Sequence, residues 1–60
     1  MKKSAIKVVE KYNLWVANNR IYQSWENEDY DNTTNYEDVN GDVISLERNS
    51  KGEIVDAWEN

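Results

Sequence analysis

Apolar positions along residues 5–17 can be laid on two periods. With period two, the even positions run Ile6, Val8, Glu10, Tyr12, Leu14 and Val16, five of six apolar, while Lys7, Lys11 and Asn13 fall on the odd side. With the helical period the best stripe is Ala5, Val9, Tyr12 and Val16, which leaves Val8, Leu14 and Trp15 off the face. The strand explains more of the apolar residues and is the predicted element. Residues 4–11 keep a second reading as a short helix with Ser4 as its cap.

Asn18-Asn19 then reads as a two-residue hairpin loop, because Asn tolerates the positive φ of a type I′ turn. That hairpin sets Val16 opposite Ile21, Leu14 opposite Gln23 and Tyr12 opposite Trp25 on one face. On its other face Trp15 meets Tyr22 and Lys11 meets Glu26. A second turn is predicted at Asn40-Gly41, between the runs 36–39 and 42–48. A third lies at Asn49-Ser50-Lys51-Gly52: a three-residue loop with Gly52 in the left-handed region sets Ile44 opposite Trp58, with Leu46 and Ile54 on the same side.

Residues 21–27 and 54–60 share Ile, Trp, Glu and Asn at equivalent places, 33 residues apart. Two such units are too few for a solenoid, so they read as returning strands whose Ile and Trp fill one core. The predicted fold is mainly β: a small five-stranded antiparallel sheet curled into a barrel or incomplete sandwich, with residues 27–34 as the loop between its halves. The alternative is α+β, a short N-terminal helix on a four-stranded antiparallel sheet.

Length narrows the function classes. Sixty residues make a single domain, 1–60, and a chain of this size buries only roughly 60% of its unfolded surface. With no Cys and no His, the common zinc, haem and iron–sulfur ligand sets and the Ser/His and Cys/His nucleophile pairs are missing. The two glycines, Gly41 and Gly52, build no phosphate-cradling loop. Twelve acids are available for acid/base work, but they lie in a polar stretch of a chain too short to wrap a substrate. The expectation is a non-enzyme with no catalytic residue, cofactor or metal. Lys7 and Glu10 interrupt any secretory apolar stretch, and Leu14-Trp15-Val16-Ala17 is far below the roughly 20 residues of a membrane span. A cytoplasmic location without membrane contact is expected.

Asp38-Val39-Asn40-Gly41-Asp42 matches the opening of an EF-hand calcium loop. Position 6 is nevertheless Val43 instead of Gly, and position 12 is Asn49 instead of a bidentate acid, so the turn reading is preferred. Asp29-x-Asp31-x-Thr33 fails in the same way.

Charge gives the strongest signal. Residues 1–20 hold five cations and one acid, whereas residues 21–47 hold eight acids and neither Lys nor Arg. The acidic block comprises Glu26, Glu28, Asp29, Asp31, Glu37, Asp38, Asp42 and Glu47, interleaved with Tyr30 and Tyr36. Its plain meaning is a solvated face that aids solubility. Its functional meaning is a one-sign surface that steers the domain onto a basic protein surface and occupies the site where that partner holds a nucleic-acid backbone. Trp15 and Tyr22, as cross-strand neighbours, are the candidate aromatic anchor.

The expected function is therefore a small acidic inhibitor or regulator, a nucleic-acid mimic of the kind that suits a viral protein, which binds a basic and even nucleic-acid-binding protein. The alternative is a small nucleic-acid-binding β module built on Lys7, Lys11, Arg20, Trp15 and Tyr22. Five cations beside eight acids make a poor phosphate footprint. A third reading is head-to-tail self-association into a homo-oligomer, basic start against acidic middle. The inhibitor reading requires the carboxylates between Arg20 and Arg48 to form one coherent outward field.

Overall fold

A computed structural model describes residues 1–60, arranged as one helix, α1 (Lys3–Ala17), followed by four strands: β1 (Ile21–Glu26), β2 (Thr33–Asp38), β3 (Val43–Arg48) and β4 (Ile54–Glu59). The strands form an open antiparallel meander in the order β1-β2-β3-β4, and α1 packs on one face of it, mainly over β3 and β4. The mainly-β prediction is thereby corrected: no fifth strand and no barrel exists, and the chain is α+β. The helix also runs to Ala17, well past the residues 4–11 allowed to it by sequence.

The stripe that α1 buries is Ala5, Val8, Tyr12 and Trp15, spaced three, four and three, with Val9 beside it. Ile6, Leu14 and Val16, which supplied the even-numbered alternation, are exposed, Leu14 by 62%. An exposed Leu or Val is ordinary on a small surface, and three of them imitated a strand. No side chain caps the N-terminus, where Lys2 is the capping residue and Ser4 lies inside the first turn.

At the C-terminus Asn19 takes a φ of 55°, the Arg20 N–H donates to the Trp15 carbonyl at 2.8 Å, and the Asn19 N–H donates to the Val16 carbonyl at 3.2 Å. These are the two hydrogen bonds of a Schellman stop. The left-handed tolerance of Asn is used, as predicted, but to end a helix instead of to turn a hairpin. None of the pairings predicted across Asn18-Asn19 exists.

The β2–β3 and β3–β4 turns share one design. Asp38 Oδ1 accepts the N–H groups of Asn40 and Asp42, and Asn49 Oδ1 accepts those of Lys51 and Glu53. Three residues on from each, Gly41 and Gly52 have φ of 87° and 84°, where an L side chain is strained. The Asp38–Asp42 stretch is thus a turn, and the oxygen that a calcium loop would need is already accepting backbone N–H groups.

Each edge strand carries a bulge at the same place. Ile21 pairs with Asp38 and Gln23 with Glu37, leaving Tyr22 extra; Ile54 pairs with Arg48 and Asp56 with Glu47, leaving Val55 extra. A bulge reverses the phase of every later residue. Ile21 and Ile54 therefore face α1 and pack on the core, whereas Trp25 and Trp58 face away from it. Trp58 meets Ser45, and Ile44 meets Glu59. The expected Ile44–Trp58 contact, and the idea that the Ile and Trp of the echo fill one core, are both corrected by this single shift.

The core is small: Ala5, Val8 and Trp15 from α1 close on Ile44, Leu46 and Ala57 from β3 and β4. Tyr12 and Tyr36 extend it with ring centroids 4.8 Å apart, and the Arg48 guanidinium donates to the Tyr36 hydroxyl at 2.9 Å. The helix is too short and too polar to cross a membrane.

Candidate protein-docking face

The face of the sheet opposite α1 has no second layer over it. Register assigns it three cross-strand rows: Gln23–Glu37–Val43, then Trp25–Asn35–Ser45–Trp58, then Thr33–Glu47–Asp56. The middle row crosses all four strands and has an indole at each end. Its centre is polar and yet buried, because Ser45 Oγ donates to Asn35 Oδ1 at 2.6 Å while Asn60 Nδ2 donates to Ser45 Oγ at 2.6 Å and Asn27 Nδ2 to Asn35 Oδ1 at 3.1 Å. Every buried polar side-chain atom of the molecule has a partner. A satisfied buried network of this kind holds its members in one arrangement and fixes the spacing of the flanking indoles.

Asn27 also shapes the β1–β2 loop. Its Oδ1 accepts the N–H groups of Asp29 and Tyr30, at 2.8 and 3.0 Å, and the loop ends on Asn32 with a φ of 57°. This brings the Tyr30 ring edge-on to Trp58, centroids 5.2 Å apart. Tyr30 remains 58% exposed and Trp25 41%, with Trp58 half-buried. Between Tyr30 and Trp58 lies a notch of about 280 Å³ whose remaining walls are Glu47 and Asp56.

Electrostatics separate the two faces. Neither Lys nor Arg occupies any of the three rows. Lys3, Lys7 and Lys11 are on α1 after Lys2 at its cap, Arg20 precedes β1, Arg48 lies against Tyr36 on the helix side, and Lys51 is in the β3–β4 turn. The two ion pairs, Lys11–Glu59 and Arg20–Asp38, both belong to the helix side. Glu37, Glu47 and Asp56 consequently carry their charge on the outer face without a cationic partner, beside Glu28, Asp29 and Asp31 of the Tyr30 loop.

The sequence-predicted site residues divide accordingly. Tyr30 and Glu37 are on the outer face, with Glu28, Asp29 and Asp31 at its rim. Glu26 and Tyr36 are on the helix side, where Thr34 and Arg48 donate to them. Asp42 is in the turn at the far end of the sheet. Asp38 is buried on the helix side: burial pushes its carboxyl up, but the N–H groups of Asp42 and Asn40 and the Arg20 guanidinium outweigh that and hold it below its ordinary value. Tyr22 is 70% exposed at its bulge, and Trp15, 5% exposed, belongs to the core. The eight acids thus lie at both ends and on both faces of the sheet, and do not form one field.

Sequence reasoning missed Trp25, Trp58 and Asp56, and did not single out Glu47 from the acidic block. The echo of residues 21–27 and 54–60 carried that signal, with its two Trp-Glu-Asn endings, but it was assigned to the core.

A second concavity, about 550 Å³, lies on the helix flank between Lys7, Glu10, Lys11, Leu14, Trp15, Asn18 and Arg20. It gathers three of the cations of the nucleic-acid reading. Lys11 is engaged by Glu59, whose hydrogen bond raises its pKa, and Arg20 by Asp38.

Comparison with known proteins finds no matching family model, no matching curated protein and no matching solved structure.

Proposed function

We propose that this chain is a non-enzymatic, cytoplasmic interaction protein, an inhibitor or regulator that covers a basic protein surface with its outer sheet face. The observation that carries the reading is the coincidence, on one uncovered face, of Trp25, Tyr30 and Trp58 with three carboxylates that no cation of the chain offsets. Aromatic side chains supply the anchoring area of an interface, and one-sign charge supplies steering and partner choice. The single carboxylate field between Arg20 and Arg48 that the sequence reading required is absent, and the reading rests instead on this smaller face: Tyr30, Glu37, Glu47 and the loop acids are kept from the expected surface, Trp25, Trp58 and Asp56 are added, and Trp15, Tyr22, Glu26, Tyr36, Asp38 and Asp42 are withdrawn.

The nucleic-acid alternative draws on the helix-flank groove. Only Lys7 there is free of an internal carboxylate partner, and Trp15 is too buried to stack on a base. The groove therefore supports it less well than the outer face supports protein binding.

The test is capture of basic proteins on immobilised domain at low salt with elution along a salt gradient, run beside a Trp25→Ala/Glu37→Lys variant. Retention by the parent and loss by the variant supports the reading. Equal retention on both columns, or retention that salt does not weaken, overturns it.

A further inference from the structure

We infer that the notch between Tyr30 and Trp58 is a receptor for one arginine side chain of the basic partner, an inference that rests on the docking reading above. Three observations meet there. The notch, about 280 Å³, is of side-chain size and has an aromatic corner formed by two rings at 68° to one another. Glu47 and Asp56 stand directly opposite each other on β3 and β4, a like-charge pairing that disfavours the free sheet. No cation of the chain reaches either carboxylate, although Lys11 and Arg20 satisfy acids elsewhere.

A ligand that entered this notch would relieve the repulsion only if it were cationic, and would use both rings only if it were flat. A guanidinium is both: its plane lies against an aromatic face while its five N–H donors, directed along its edge, reach carboxylate oxygens. An ammonium carries the charge as a point and has no plane to stack. The pairing that costs the free domain some stability is thus the feature that selects the ligand, as expected where a binding site is kept at the expense of stability.

The loop that supplies Tyr30 is held by Asn27, which also donates to Asn35 of the buried row. The aromatic wall is therefore anchored to the sheet, and the notch exists before the ligand arrives.

The experiment measures affinity of the intact domain for fluorescein-labelled hexa-arginine and hexa-lysine at low salt, for the parent, for Glu47→Gln/Asp56→Asn and for Tyr30→Ala. The expected result is that the parent prefers hexa-arginine by roughly three- to tenfold, and that both variants, still folded by circular dichroism, lose that preference. Equal binding of the two peptides by the parent, or a preference that survives in Glu47→Gln/Asp56→Asn, overturns the arginine notch and leaves the docking face standing. Failure of both peptides to bind the parent overturns the docking face and the notch together.

Discussion

Trp25 and Trp58 stand at the two ends of one cross-strand row, separated by the hydrogen-bonded pair Asn35 and Ser45, on the face of the sheet that α1 leaves uncovered. They reach that face by the same route. Each follows an inward Ile by four residues, with a bulge between, on opposite edge strands. The bulges do two things at once: they turn the indoles outward, and they interrupt edges that would otherwise invite another strand.

The packing of α1 on the sheet makes opposite demands on two leucines, one beneath the helix on β3 and one on the helix's exposed side. Leu46→Ala, at a fully buried position against α1, is expected to cost about 2–5 kcal/mol, which is most of the stability a core of this size provides. Leu14→Ala, which the strand reading would bury in a hairpin, is expected to change stability by no more than about 0.5 kcal/mol. Urea titrations of the two variants check both values.

Why the strand reading prevailed in the sequence is physical. Ile6, Leu14 and Val16 are apolar without being core, so alternation is counterfeited along a helix whose true stripe includes Val8 and Trp15. Asn18-Asn19 announces a positive φ but not which structure will use it: a Schellman stop and a hairpin ask for the same residue type. The turns at Asn40-Gly41 and Asn49–Gly52 were legible because Gly and the side-chain acceptors of Asp38 and Asn49 act locally. The bulges at Tyr22 and Val55 were not, since an extra residue shows only against its partner strand. Misplacing Trp58 follows from that, and with it the site: the acidic block could be seen in one dimension, but the face that carries it had to be assembled from rows.

Asn27 links the Tyr30 loop to the buried row, and Asn27→Ala is expected to free the loop while leaving the sheet intact. Proton contacts between the Tyr30 and Trp58 rings should disappear from NMR spectra while the β2–β3 and β3–β4 cross-strand contacts persist. The lost hydrogen bonds are expected to cost about 1–3 kcal/mol.

Glu47 and Asp56 repel each other in the free protein. Glu47→Gln is expected to stabilise by roughly 0.2–1 kcal/mol, seen in calorimetry as a rise in Tm of about 1–8 °C for a domain this small. A fall in Tm would show that Glu47 has a stabilising partner.

Asp38 sets the acid limit. Its folded carboxyl is held below the ordinary 3.8, so its contribution is present above that value and is lost as pH falls through the lowered one. Thermal unfolding should show Tm dropping as pH falls below about 4. In Asp38→Asn, which keeps an oxygen for the Asn40 and Asp42 N–H groups but not the charge beside Arg20, that part of the drop should be absent.

The chain has three tryptophans, two on the outer face and one in the core beside the helix-flank groove, so their indole N–H signals report where a ligand lands. Titrating ¹⁵N-labelled protein with hexa-arginine measures this directly. Docking through the outer face predicts that the Trp25 and Trp58 signals move while that of Trp15 stays. Movement of Trp15 together with the Lys7 and Lys11 amides, with Trp25 and Trp58 unmoved, would contradict it.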